Sequence, residues 1–263
     1  MLIIGEKLNS SIPKTLEAMK AGDEGYLAEL IERQAQCGAD FLDINTALTA
    51  EKELSNMLRT IALAEEKTDC GIMLDSPDPE IILKALAAVS GREIIVNSVN
   101  AEARYDELLA AVAESGASVV CMPIKDKRIP ETADGRLNAA GDIIEKLRSF
   151  GIPEGKMYID VLVEAIATGE EGAMPALDTI KAVKGAFPKV KTICGLSNVS
   201  FGLPERGRLN SFFLAMALLN GIDAAICDPT SERLRDALSA SQALLGRDEY
   251  CLEYIGNARS HAK

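Results

Sequence analysis

A single closed (β/α)8 barrel, a TIM barrel of the α/β class, is the fold this sequence predicts, and three observations predict it. Eight short apolar runs recur along the chain, each ended by a polar residue or a turn. Amphipathic segments, several closed by glycine, separate them. The phosphate fingerprint GxGxxG, which an open dinucleotide-binding sheet would want after its first strand, is missing: Gly5 to Ser10 reads Gly-Glu-Lys-Leu-Asn-Ser.

In order, the runs are Leu2-Ile3-Ile4-Gly5-Glu6, Phe41-Leu42-Asp43-Ile44-Asn45, Ile72-Met73-Leu74-Asp75 and Ile94-Ile95-Val96-Asn97 in the first half. The second half holds Val119-Val120-Cys121-Met122, Met157-Tyr158-Ile159-Asp160, Ile193-Cys194-Gly195-Leu196-Ser197-Asn198 and Ala224-Ala225-Ile226-Cys227-Asp228. Continuous rather than alternating apolar runs are what strands covered on both faces look like, as in an all-parallel sheet wrapped by helices. Between the first two runs, Leu27, Leu30, Ile31 and Ala35 mark one helical face; after the eighth, Leu234, Ala237, Leu238, Ser241 and Leu245 mark another. Gly38, Gly116 and Gly221 each follow such a helix and precede a strand, in the similar phrases Cys-Gly-Ala-Asp, Ser-Gly-Ala-Ser and Asn-Gly-Ile-Asp. They are expected to end their helices in the left-handed conformation.

No Pro/Gly/Ser-rich linker divides the chain, so residues 1–263 read as one domain, a length that one barrel fills. Hydrophobic residues at 48% and charged residues at 26% belong to a folded globular chain. A net charge of −12 would repel phosphate backbones and anionic lipid, which disfavours nucleic acid and membrane surfaces as partners. The first residues pass straight into a strand with no basic lead, and no apolar stretch approaches about 18 residues, so a cytoplasmic protein is expected. Six scattered cysteines without a CxxC pair read as buried reduced thiols, and no metal site is expected from their spacing.

In a barrel of this kind the site lies at the C-terminal ends of the strands, so the polar residue ending each run points into the mouth. Those ends carry Glu6, Asn9, Asp43, Asn45, Asp75, Asn97, Asp160, Asn198 and Asp228, with Lys7, Lys125 and Arg206 nearby. Any one Asp or Asn there reads equally well as a turn former or helix cap. Six or more of eight strands ending so is what a shared polar cavity predicts. The sole histidine, His261, is the third residue from the end of the sequence and reads as tail, so a histidine proton shuttle or a Ser-His or Cys-His pair is not expected. Carboxylates and amides remain. A carboxylate suits a ligand with two adjacent N–H donors, and an amide suits an edge that both donates and accepts; a pterin ring presents both.

Leu2-Ile3-Ile4-Gly5-Glu6-Lys7-Leu8-Asn9, Leu74-Asp75-Ser76, Asn97-Ser98-Val99-Asn100-Ala101-Glu102, Tyr158-Ile159-Asp160 and above all Gly195-Leu196-Ser197-Asn198-Val199-Ser200 resemble the methyltetrahydrofolate:corrinoid methyltransferases. Phe213-Leu214-Ala215-Met216-Ala217 and Asp223-Ala224-Ala225-Ile226 continue the likeness, which covers essentially the whole chain. A similar pterin-binding barrel occurs in cobalamin-dependent methionine synthase and, more distantly, in dihydropteroate synthase. The resemblance implies that Asp75, Asn97 and Asp160 grip the pterin ring and that Asn198 hydrogen-bonds N5, the atom carrying the methyl group. It implies Arg206 near the substrate, with Asn9, Asp43 and Ser197 as secondary candidates. Tetrahydrofolate or 5-methyltetrahydrofolate would be the substrate, a separate corrinoid protein the partner, and a homodimer the assembly. The Asp-x-His-x-x-Gly phrase of a cobalamin-binding module does not occur, so the cobalt is expected to come from that partner.

Three other readings use the same residues. A dihydropteroate-synthase-like condensing enzyme would need an Asn-x-Thr-x-Asp-Ser-Phe phrase, which Asn9-Ser10-Ser11 does not supply. A Schiff-base lyase would use Lys125. A catalytically silent folate-binding subunit would keep the grip without the transfer.

Overall fold

The computed structural model describes residues 1–169 and 171–260, and the predicted barrel is there. Strands β1 (Leu2–Gly5), β2 (Phe41–Asn45), β3 (Gly71–Asp75), β4 (Ile94–Val99), β5 (Ser118–Cys121), β6 (Met157–Asp160), β7 (Lys191–Gly195) and β8 (Ala224–Cys227) pair in parallel, in sequence order. Closure comes from β8 pairing with β1, Leu2 opposite Ala224 through Gly5 opposite Cys227. The seventh run overshoots its strand the furthest. The seventh was expected to stay extended to Asn198, but β7 stops at Gly195, the last residue with a partner on β8, and Leu196–Ser200 close into a 3-10 turn.

Helices α1 (Pro13–Ala21) and α2 (Glu24–Gln36) follow β1, and α3 (Glu53–Lys67), α4 (Pro79–Leu86) and α5 (Asp106–Ser115) follow β2, β3 and β4. Helices α6 (Ala133–Ser149), α7 (Met174–Ala186) and α8 (Arg206–Leu219) follow β5, β6 and β7, and α9 (Glu232–Leu244) and α10 (Leu252–Ser260) follow β8. Side chains satisfy the open N–H groups at several helix starts: Asp23 accepts from Tyr26, Asp78 from Glu80, Thr132 from Gly135 and Ser231 from Leu234. Gly38, Gly116 and Gly221 take φ of 89°, 69° and 93°, the left-handed helix ends that their position predicts.

The expected faces of α2 and α9 pack inward, with one addition. In α2, Leu27 and Ile31 are buried together with Gln34, whose Oε1 accepts from the Lys7 backbone N–H. This polar residue on an apolar face ties the loop after β1 to the helix layer. All six cysteines are free thiols. Cys121, Cys194 and Cys227 are buried on strands, whereas Cys37 and Cys70 are half-buried and Cys251 is exposed, because those three lie at helix ends and loops rather than inside the sheet. Among the described residues no helix is long and apolar enough to cross a membrane. His261 lies outside the described residues.

Strand side chains alternate between faces, and this decides what the barrel encloses. Ile4, Phe41, Met73, Ile95, Val120, Tyr158, Ile193 and Ala224, one from each strand, form a separate apolar cluster that fills the interior. Two residues further along, on the same face, come Glu6, Asp43, Asp75, Asn97, Met122, Asp160, Gly195 and Ile226. The interior changes from apolar to polar within one step of the pleat. Below the cluster, Gly71 on β3 lies under the Phe41 ring: a Cβ there would stand 2.2 Å from Phe41 Cε1. Gly71→Ala should therefore destabilise the protein by about 1–3 kcal/mol, the usual cost of overpacking a filled core, read as a lowered urea midpoint. An unchanged midpoint would mean that the ring moves freely and the interior is loosely packed.

Candidate active site

Pairing register brings the polar strand ends together before any side-chain contact is considered. Asn45 on β2 lies opposite Asp75 on β3, Asp75 lies opposite Asn97 on β4, and Asn9 makes an isolated bridge to Asn45. Four residues from the first four strand ends thus form one row. Asp160 ends β6 on the same inner face, and Asp228 follows β8.

Each of the two central carboxylates is tied by one oxygen. Asn45 Nδ2 donates to Asp75 Oδ2 at 2.8 Å, and the Leu162 backbone N–H donates to Asp160 Oδ1 at 2.9 Å. Among the described residues the second oxygen of each accepts no hydrogen bond, and neither the Asn97 nor the Asn198 amide has a side-chain partner. Orientation is set while binding capacity stays open. Burial pushes Asp75 up to about 6 against the Asn45 hydrogen bond, with Glu53 adding to the rise. Burial likewise pushes Asp160 to about 6, against the Leu162 N–H and the charge of Arg136. Asp43 is 2% exposed, its Oδ1 has no partner, and burial followed by the charges of Asp75 and Glu6 raises it well above the usual carboxylate range.

Beside this row the mouth is held differently. Lys7 Nζ pairs with Asp228 Oδ2 at 2.8 Å; burial raises Asp228, but the hydrogen bonds from Lys7 and Thr230 and the Lys7 charge outweigh it, and its carboxyl sits below the ordinary value. Glu6 is raised by burial and accepts from Ser197 Oγ at 3.0 Å. Ser197 is therefore a support for the strand end. Asn9 accepts from the Ser11 N–H through its own side chain, a local turn bond, while its backbone stays in the row. Arg206, expected near the substrate, donates from Nη2 to the Ser197 carbonyl at 2.7 Å and from Nε to Ser200 Oγ at 3.1 Å. It braces the Leu196–Ser200 turn.

That turn presents Asn198. The residue is exposed, and its amide folds back over the end of β7: a Cβ on Gly195 would meet Asn198 Nδ2 at 3.0 Å. Gly195 is the last inner-face position of β7, so the Asn198 amide occupies the space that a side chain there would fill. Lys125, by contrast, is exposed in a tight turn whose backbone pairs with Arg128, outside the desolvated pocket that a nucleophilic lysine needs. Among the described residues no three His, Cys, Asp or Glu side chains are grouped as a metal would need.

Comparison with known proteins assigns the family. Residues 5–228 match the family model described as pterin binding enzyme. The chain belongs to the pterin-binding enzyme family. Within it the chain is 31% identical over 257 residues to methylcorrinoid:tetrahydrofolate methyltransferase of Eubacterium limosum, covering 97% of this chain and 94% of that protein. It is 33% identical over 240 residues to methionine synthase of Mycobacterium tuberculosis, of which it spans 20%. Dihydropteroate synthase from Xanthomonas albilineans in complex with 7,8-dihydropteroate shares the fold at a TM-score of 0.63 and 23% identity, over 93% of this chain and 92% of that one. The Yersinia pestis enzyme with a pterine-sulfa conjugate does so at 0.67 and 15%, over 93% and 94%.

The pterin-binding barrel has one residue at its mouth that the sequence analysis did not single out, Arg136, which is 1% exposed. The signal was present: Arg136 precedes Ala139, Ala140, Ile143, Ile144 and Leu147 at helical spacing, a charge on the buried stripe of α6. The raised carboxyls also carry a stability consequence. A carboxyl near 6 in the folded chain and near 4 unfolded adds stability that is full below about pH 4 and is lost as pH rises through about 6. Asp75→Asn and Asp160→Asn should each relieve on the order of 1 kcal/mol at pH 7.5 and raise the ligand-free melting temperature by about 2–4 °C. Melting temperatures at or below wild type in both would show that the two carboxylates are not penalised by burial.

Proposed function

We propose that this pterin-binding barrel transfers a methyl group between N5 of tetrahydrofolate and the cobalt of a corrinoid carried by another protein. The observation that carries the reading is the half-tied state of Asp75 and Asp160: each has one oxygen fixed by a neutral N–H donor and the other open at the mouth. Open carboxylate oxygens flanked by the free amide of Asn97 form the donor and acceptor set that the polar edge of a pterin requires. The likeness to the Eubacterium limosum methyltransferase along nearly the whole chain supports the methyl-transfer chemistry over a condensation.

The partner's corrinoid supplies cobalt as methyl acceptor or donor, and everything else falls to this chain. An N5-methyl amine is a poor leaving group, because displacement leaves negative charge on nitrogen unless a hydrogen bond or proton arrives as the bond breaks. A donor aimed at N5 therefore stabilises the transition state more than the ground state. Asn198 fits that role, since its amide overhangs Gly195 at the rim and, among the described residues, has no side-chain partner to give up. An amide does not ionise near neutrality, so Asn198 donates a hydrogen bond and the proton comes from elsewhere. Asp43, buried and holding its proton above the usual range, supports the carboxyl row from below. One transition state serves both directions of transfer, and the partner decides which runs. A homodimer would find an apolar face in Phe212, Met216 and Leu219, an exposed stripe along α8.

Asn198→Ala should lower turnover about a hundred-fold, the scale of losing one preorganised donor, with modest loss of folate affinity. Loss of cobalt(I) absorbance on mixing with methyl-folate and a corrinoid protein measures it, and a wild-type rate would remove Asn198 from the mechanism. Asp75→Ala and Asp160→Ala should instead weaken folate binding by about 1.5–3 kcal/mol each, since each leaves pterin N–H groups without a charged acceptor. Calorimetry that returned wild-type affinity for both would refute the pocket, and titrations with no folate binding at all in the wild-type chain would refute the function.

A further inference from the structure

Asp160 ends β6 at a place where the chain takes an unusual course. Leu162, two residues on, has φ of 53°, the left-handed region that non-glycine residues seldom occupy, and its N–H is the donor to Asp160 Oδ1. Such a conformation persists where the surroundings over-determine it. Here one side chain bonds the carbonyls on both sides of that N–H. Arg136 Nη1 donates to the Val161 and Leu162 carbonyls at 2.8 and 2.9 Å, Nε to the Pro130 carbonyl at 2.9 Å, and Nη2 to Glu164 Oε2 at 2.7 Å. The guanidinium is buried, yet its acidic partner is 56% exposed, so the ion pair alone gives little reason to bury it. Its other acceptors are backbone carbonyls of the loops that follow β5 and β6, at the C-terminal end of the barrel, where a side chain serves the site rather than the scaffold.

We propose that Arg136 is a positioning residue for Asp160: by fixing the carbonyls on either side of the Leu162 N–H, it sets the direction of the carboxylate that meets the substrate. The inference rests on the assignment of Asp160 to the pterin. The planar fork matters as well as the charge, because no ammonium can reach the Pro130, Val161, Leu162 and Glu164 acceptors together in one plane. Among the described residues, two titratable or charged groups face Asp160. Arg136 lowers its carboxyl, and the buried Cys194 thiol, itself pushed up by burial and by Asp160, stays neutral.

Calorimetric binding of 5-methyltetrahydrofolate to the full chain, from about pH 5 to about 8, tests this: affinity should fall as Asp75 and Asp160 take up their protons, and of the two only Asp160 carries the influence of Arg136. Arg136→Lys keeps the charge and loses the fork: affinity should drop about ten-fold with the acid limb near its wild-type position. Arg136→Gln loses both, so the limb should also move to higher pH. Glu164→Gln alters only an exposed partner and leaves the guanidinium uncountered, so its limb should move to lower pH. Folded Arg136 variants with wild-type affinity and an unmoved limb would overturn the proposal. Should those variants not fold, a Glu164→Gln limb that stays or moves upward would overturn it instead. Asp160→Asn separates the two levels: if it binds folate as wild type does, the assignment of Asp160 to the pterin has failed, whereas a weakened Asp160→Asn beside unaffected Arg136 variants sinks the positioning role alone.

Discussion

Asp43, Asp75 and Asp160 stand at the end of an interior filled by Ile4, Phe41, Met73, Ile95, Val120, Tyr158, Ile193 and Ala224, where water is scarce and an ionised carboxylate is poorly solvated. Folding alone would not choose such residues at these positions. A parallel barrel nevertheless aims the last inner side chain of every strand at one mouth, so whatever occupies those positions is brought close together. The charges raise one another there, as Asp75 and Glu6 do to Asp43. The free energy held in that arrangement is available to a ligand that brings N–H groups to the open oxygens.

How the carboxylates are held follows from the same constraint. A cation beside each would settle its charge and also occupy the oxygens that a ligand needs. Asp228 shows that alternative: paired with Lys7 and bonded by Thr230, it sits below the ordinary carboxyl range and has little left to offer. Asp75 and Asp160 are steered by neutral donors instead, the Asn45 amide and the Leu162 N–H. A neutral hydrogen bond fixes direction and leaves most of the charge unspent. The cations are used one step back, Arg136 on the carbonyls around Leu162 and Arg206 on the Ser197 carbonyl and the Ser200 hydroxyl.

The barrel was legible in the sequence because its strands are buried on both faces and so read as uninterrupted apolar runs, and because glycine marked the ends of helices. The row of polar strand ends was legible for the same reason, since Asp or Asn after an apolar run breaks the pattern at its mouth end. Positions beyond the strands were harder. The 3-10 turn that carries Asn198 looks like continued strand, because Leu196 and Val199 are apolar whether they extend or turn. Arg206 stands near the substrate by the family resemblance alone, and only the structure shows that its guanidinium also holds the turn's carbonyl. Arg136 escapes notice because a single charge in a helical stripe looks like an exposed edge; all but one of its acceptors lie in backbone from two other loops, 6 to 26 residues away along the chain, and backbone acceptors leave no trace in a sequence.

Depth divides the labour at the mouth. Asp43 is buried, Asp75, Asn97 and Asp160 are half-buried, and Asn198 is exposed on a turn outside the strand end. A planar ligand whose polar edge is held by the carboxylates would have its far side toward the rim, next to the Asn198 amide. In the proposed reaction that side must remain open, because the methyl group passes to or from a cobalt that the partner protein brings. A residue acting there cannot rely on burial for its strength, so its direction has to come from bracing. The Arg206 bonds to the turn and the absence of a side chain at Gly195 supply that direction, which is why the exposed end of the site is as tightly framed as the buried one.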